Sequence, residues 1–295
     1  MIAALLKCTL PLVALCALLP ASEILTKSQI QHILQQNGKD EVALSDHQNL
    51  LFCWSPADHP HGTHAYEAFA KHWAQALNPL PHLNATAVKG FPTDEQWKSA
   101  DLVVFNLTQK SLTKQNYERI DDHLAKGGSL MVLHQGIVHK KQYNDWANRI
   151  GFAFSWEKGT HHSKWGRGPL EISLNTQHPI FKGFPSEVTF EDELYWNFTK
   201  GTRGQISTLG ETAAPAQSKK PRSPEESSDQ LWPVFWTVQH TQDNGTPTGR
   251  VFGCVIGHYD DILFSDFIQL VMSRAYAWCL DSSPAAFQPA LKLKQ

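Results

Sequence analysis

The sequence predicts an α/β domain on a parallel sheet, and three observations carry that expectation. Continuous apolar runs at 50–54 (LLFCW), 102–105 (LVVF) and 129–133 (SLMVL) suit strands covered on both faces. Stretches with helical spacing of apolar residues separate those runs, an alternation that builds a parallel sheet through right-handed crossovers. At 295 residues and 41% hydrophobic content, the chain can bury one large core.

Each element follows from local pattern. Residues 1–22 place Lys7 ahead of the apolar run 8–19, which Pro11 interrupts and which is too short to span a bilayer. With Ala21 and Ser22 after it, the segment predicts a cleaved secretory signal, export to the periplasm or exterior, and no stable membrane insertion afterwards. The mature chain then keeps Cys53, Cys254 and Cys279, each in an apolar run, so buried free thiols are expected. Residues 28–36 suit a short helix and 38–47 a loop. After the strand at 50–54 comes the polar loop 55–63. Thr63 is expected to N-cap a helix over 64–77, with the stripe Tyr66, Phe69, Ala70, Trp73 and Leu77. Asn78-Pro79 stops that helix. Thr93 and Gln96 fit a capping box over a short helix carrying Trp97. Thr113 opens a helix that buries Ile120 and Leu124, and Gly127-Gly128 ends it. The stretch 170–174 (LEISL) alternates as a half-exposed strand does, and 233–238 and 250–256 suit two more strands. Phe267, Ile268, Val271, Met272, Ala275 and Trp278 form the stripe of a closing helix. The polar stretch 218–230 (SKKPRSPEESSDQ) suits a solvated surface loop.

Charge narrows the function classes. Lys and Arg number 26 against 28 Asp and Glu, a net charge of −2 with pI near 6.7. A nucleic-acid binder would carry a basic stripe, and an anionic-membrane protein a basic face, so neither is expected. The 15 histidines are the outlier, and they direct attention to metal or acid–base chemistry.

Ligands of open parallel sheets bind outside the carboxyl ends of the strands. The histidines gather there, in 58–64 (DHPHGTH), 134–136 (HQG) and 257–260 (GHYD). His134 ends an apolar strand, where a polar group needs a specific partner. His64, His134 and His258 are the candidate metal ligands. Neutral imidazoles suit Zn²⁺, which is favoured, and other divalent ions. His161 and His162 lie in a Gly- and Trp-rich loop (GTHHSKWGRG), and the run 192–195 places two acids beside a tyrosine. Trp54, His161, His162, Trp165 and Asp192 are candidate substrate contacts; Glu193, Tyr195 and His134 are candidate catalytic groups.

Some chemistries are argued against. A nucleophile elbow needs Ser or Cys on the turn after a strand, and here that turn is His134-Gln135-Gly136. No glycine-rich phosphate cradle follows the first strand, so no nucleotide cofactor is expected. Ordinary glycosidases need two carboxyls flanking the scissile bond. Asp192 and Glu193 are adjacent, and in an extended strand they point to opposite faces.

Taken together, HGTH (61–64) before an aromatic helix, GGSLMVLHQG (127–136), HPIFKGFP (178–185) followed by FEDELYW (190–196), and GRVFGCVIGH (249–258) before a Trp-bearing helix resemble the ThuA-like (trehalose-utilisation) family. The resemblance implies a three-layer, flavodoxin-like sandwich similar to class I glutamine amidotransferases, without their catalytic cysteine. It implies His64, His134, Glu193, Tyr195 and His258 as recurring polar positions, with His61, His161 and His162 in more variable segments. It also implies a role in sugar catabolism, linked to 3-keto-glycosides. The chain then divides into the signal (1–22), an N-terminal extension (23–48), the ThuA-like domain (49–283) and a C-terminal tail (284–295).

The leading functional expectation is metal-assisted elimination and hydrolysis of a 3-keto-glycoside, with a small carbohydrate as partner and a homo-oligomer left open. Two rivals stand beside it. One is a non-catalytic sugar binder using Trp54, Trp156, Trp165 and Trp196; the other is a scaffold whose old site is vestigial.

Overall fold

The structure is a computed structural model. It describes residues 24–38, 44, 46–108, 112–156, 162–215 and 230–294. The expected signal segment and nearly all of the polar stretch 218–230 lie outside these residues.

The elements are, in chain order, α1 (Lys27–Gln35), β1 (Gln48–Trp54), α2 (Tyr66–Leu77), β2 (Leu83–Lys89), α3 (Asp94–Ser99), β3 (Leu102–Asn106), α4 (Lys114–Ala125), β4 (Ser129–Leu133), β5 (Val138–His139), α5 (Tyr143–Ile150), β6 (Phe152–Ser155), β7 (Lys164–Leu174), β8 (Glu187–Trp196), β9 (Thr199–Lys200), β10 (Gln205–Ala213), β11 (Leu231–Thr241), β12 (Pro247–Cys254), α6 (Asp260–Leu263) and α7 (Asp266–Cys279). The nine-stranded sheet has the order β2-β1-β3-β4-β12-β11-β10-β7-β8. Its first five strands are parallel, in the 2-1-3-4-5 succession of flavodoxin-like folds. From β12 onward every pairing is antiparallel, and this half extends the expected sheet. A small second sheet joins β5, β6 and β9.

Helices cover both faces. Phe52 of β1 packs on Tyr276 of α7, which meets Trp73 of α2 at 5.0 Å. Cys53 and Phe105 are side by side on the opposite face. There Phe105 touches Trp97 of α3 and Trp146 of α5. The expected capping box at Thr93 is present, Thr113 opens its helix as expected and does so with a capping box, and a third box at Thr26 opens α1. Cys53, Cys254 and Cys279 are free and buried. The segments flanking the domain are packed: Arg274 of α7 donates to Asn37 and to the Ile33 carbonyl of α1, and Phe287 is fully buried. Among the described residues, no helix is long and apolar enough to cross a membrane.

One boundary differs from expectation. The helix expected over 64–77 starts at Tyr66. His64 takes the left-handed backbone conformation (φ 55°), which no helix continues. Thr63 does not cap; it bridges Tyr259, and its hydroxyl donates to the Pro60 carbonyl.

His139 is fully buried. Its Nδ1 donates to the Lys141 carbonyl, and its Nε2 accepts from Leu112 N–H and the Tyr117 hydroxyl. A second ring proton would meet those donors head-on, and burial pushes the ring down to about 4. The unfolded chain binds this proton near pH 6.5, so it holds more protons than the native state between about 6.5 and 4, and stability falls as pH falls through that window. The loss from this residue is at most about 3 kcal/mol. Urea midpoints of metal-free protein at pH 7 and pH 5 are expected to differ less in His139→Gln than in wild type, and equal differences would refute the assignment.

Candidate metal centre

Four strand ends and one ribbon build the site. β1 ends into the loop 55–63, β4 ends at His134, and β12 ends at Gly257-His258. β3 contributes Thr108 just beyond its end. The turn after β4 is tight: His134 has φ 45°, and a Cβ on Gly136 would meet the Phe105 carbonyl at 2.4 Å. This is the position of the elbow in nucleophile folds, occupied here by an imidazole.

His64, His134 and His258 are 0% exposed, yet their rings converge. His64 Nε2 lies 3.0 Å from His134 Nε2 and 2.9 Å from His258 Nδ1. The far nitrogens fix the tautomers. His134 Nδ1 donates to the Val255 carbonyl at 2.7 Å, and His64 Nδ1 donates to Asp58 Oδ1 at 2.7 Å. Both Nε2 atoms therefore present lone pairs to each other. Burial, reinforced by the neighbouring imidazoles, pushes His134 well below the usual histidine range. Burial, with Arg167 nearby, pushes His258 down to about 3. His258 Nε2 is buried and has no hydrogen-bond partner.

Glu193 stands beside the three rings. Its Oε1 is 3.8 Å from His134 Nε2 and 3.6 Å from His258 Nδ1, and its Oε2 accepts from Arg167 Nε at 3.1 Å. These four side chains offer ligand atoms all within 4.8 Å of one another. The Tyr195 hydroxyl donates to His134 Nε2 and accepts from Gln135. Burial raises that hydroxyl well above the usual tyrosine range.

The carboxylates divide their work. Asp58 sits at the mouth. Burial pushes its carboxyl up, but hydrogen bonds from His64, Thr108 and His59 win and hold it well below the usual carboxylate range. Asp192, expected as a substrate contact, is fully buried. Its Oδ1 accepts from the N–H groups of Glu193 and Tyr259, and its Oδ2 from that of Gly257. It holds the His258 turn against β8. Burial nonetheless pushes this carboxyl up to about 7, against the pull of those N–H groups.

The other expected contacts scatter. Trp165 is half-buried, with the Arg167 guanidinium 5.9 Å from its ring. Trp54 is half-buried under Lys89. Trp196 is fully buried and offers no face to a sugar, whereas Trp156 is 41% exposed. His162 is half-buried, and its carbonyl accepts from Asn197; His161 lies outside the described residues. Asp58, Arg167 and Tyr66, whose hydroxyl lies 2.7 Å from His64 Nδ1, were not singled out by sequence as site residues. Asp58 had a signal, as the acid opening the histidine-rich loop. Arg167 and Tyr66 had none beyond their polarity.

Replacing Asp192 by Asn turns one acceptor oxygen into a donor facing a backbone N–H. The substitution is expected to cost about 1–3 kcal/mol, read as a lower denaturant midpoint; an unchanged midpoint would show that the clamp is unimportant.

Comparison with known proteins agrees with this architecture. A ThuA-like protein from Parabacteroides merdae superposes with a TM-score of 0.61 at 14% identity, covering 81% of this chain and 91% of that one. A ThuA-like protein from Bacteroides uniformis gives 0.56 at 14% identity, covering 84% and 99%. No curated protein matches the chain in sequence. The family model described as "ThuA: Trehalose utilisation" matches residues 49–279, so the chain belongs to the ThuA family.

Proposed function

We propose that this protein is an exported, metal-dependent enzyme that cleaves oxidised (3-keto) glycosides by elimination followed by hydration. The observation that carries the metal is the contact between His64 Nε2 and His134 Nε2. Two acceptor nitrogens 3.0 Å apart repel, and a cation bound by both relieves that repulsion more fully than the Tyr195 hydroxyl, which reaches His134 Nε2 alone. A proton is disfavoured on His134 by burial, so at neutral pH a metal ion is the cation that suits the pocket. Nitrogens around a divalent ion bound at about 2.0–2.1 Å lie roughly 3.0–3.4 Å apart, close to the spacing seen. The ligand set would be His64, His134 and His258. Carboxylate and carbonyl groups behind His64 and His134 orient the rings, as outer partners do in metal sites. Three imidazoles suit Zn²⁺ well.

Glu193 Oε1 is farther from His134 Nε2 and His258 Nδ1 than His64 Nε2 is from either, which suits a base beside the centre. A ketone at C3 acidifies the C2 proton. Glu193 takes that proton, the C1–O bond breaks, and the leaving alcohol takes a proton. Water then adds across C1 and C2, for net hydrolysis. A bound divalent ion supplies charge stabilisation at the ketone oxygen. Tyr195 donates a hydrogen bond to a substrate oxygen, and Trp165 with Arg167 lines the approach. The family's link to trehalose utilisation supports a carbohydrate substrate.

Purified protein is expected to hold about one divalent ion per chain by elemental analysis, lost in His64→Ala and His134→Ala. Glu193→Gln is expected to lower turnover of a 3-keto-glycoside by about 10²-fold or more. Full turnover by Glu193→Gln would remove the base, and metal-free wild type that cannot be reloaded would remove the centre.

A further inference from the structure

The four groups of the centre are sealed. The three histidines are 0% exposed and Glu193 is 5% exposed, so a sugar cannot touch them without a side chain moving. His59 lies against two of them. Its ring is 3.9 Å from that of His64 and 5.8 Å from that of His258, edge to face. Its own hold is slight: the side chain is 37% exposed, and its Nδ1 reaches only Asp58 Oδ1, the adjacent residue, at 3.0 Å. Exposed pairs of this kind contribute little.

The loop carrying His59 is pinned at its ends, and between them, among the described residues, only Asp58 and the Pro60 carbonyl are also held by other parts of the chain. Ser55 Oγ accepts from Thr108 N–H, the Gly62 carbonyl accepts from Asp260 N–H, and Thr63 bridges Tyr259. Residues 56–61 are exposed. A flat polar ring tilted against the centre, bonded to a carboxylate at its edge, fills space that a sugar ring would need to reach these groups. In the neighbouring ring, His258 Nε2 is buried without a partner. When Nδ1 of that ring faces a cation, Nε2 carries a proton and needs an acceptor.

We propose that His59 holds the place of the substrate: the sugar enters by displacing this imidazole, and its oxygens take over Asp58 Oδ1 and the buried Nε2–H of His258. The inference rests on the carbohydrate reading above and adds the two groups that bind the sugar. Asp58 has a further acceptor site once His59 leaves, and a carboxylate accepting from hydroxyls is well matched to a polyol. Arg167 and Tyr259, whose ring is 6.0 Å from the guanidinium, form another wall of the same mouth.

The test does not depend on turnover. Metal-stripped wild type and His59→Ala are treated with diethyl pyrocarbonate, and modification is mapped by mass spectrometry. The rate at His258 is expected to rise about tenfold in the variant, because access no longer waits for the plug to open, while buried His123 and His139 keep their rates. Equal rates at His258 in the two proteins overturn the proposal, as does a rise shared by His123 and His139, which marks general loosening. With methyl 3-keto-α-glucoside, KM is expected to fall about threefold or more in His59→Ala, since the sugar no longer competes with the side chain; an unchanged KM overturns it too. If wild type fails to turn over the keto-glucoside while the His258 rate rises, the catalytic reading falls and the plug stands.

Discussion

One carboxylate joins the two halves of the molecule. β8 is the far edge of the sheet and is separated from β12 by three strands, yet Asp192 of β8 accepts from the backbone N–H groups of Gly257 and Tyr259, just beyond β12. The antiparallel half must curl over the carboxyl end of the parallel half for that to occur. This closure brings Glu193 and Tyr195, with Arg167 behind Glu193, to the histidines that follow β1, β4 and β12. Without it the parallel half would offer three imidazoles in an open crevice, and the ribbon would offer acids to solvent. Asp192 is thus worth more as an acceptor of backbone donors than as a contact for substrate.

That division explains what was legible in the sequence. The parallel half announces itself, because strands buried on both faces leave unbroken apolar runs, and their capping boxes are local signals. The sites at His64, His134 and His258 followed from one rule about strand ends. The antiparallel half gives weaker signals: β10 mixes Gly, Thr, Ser and Glu, and β7 opens with the glycine-rich KWGRG before its alternation begins. Asp192 could not be assigned from pattern, since its partners are backbone groups sixty-five and sixty-seven positions away. The start of α2 was displaced for a related reason. His64 is held where its ring meets two others, and its backbone pays by leaving the helical region.

The tautomers give the centre its direction. Partners on the outer nitrogens of His64 and His134 commit the inner nitrogens to accept, and burial removes the easy remedy of protonation. A pocket so arranged selects for charge before it selects for shape. Glu193 shares in the same logic, with one oxygen held by Arg167 and the other turned toward the rings. The guanidinium offsets a carboxylate that would otherwise be buried beside Asp192.

Two of the three converging histidines have left-handed backbone, at φ 55° and 45°. Each such conformation costs a non-glycine residue about 1 kcal/mol or more, and glycine escapes the cost. Mutation to glycine at either place would thus remove a ligand while relieving strain. The packing and hydrogen bonds of the two buried rings must therefore outweigh that strain for the conformations to persist. The pair of strained histidines thus marks where the fold gives up backbone comfort to bring two rings together.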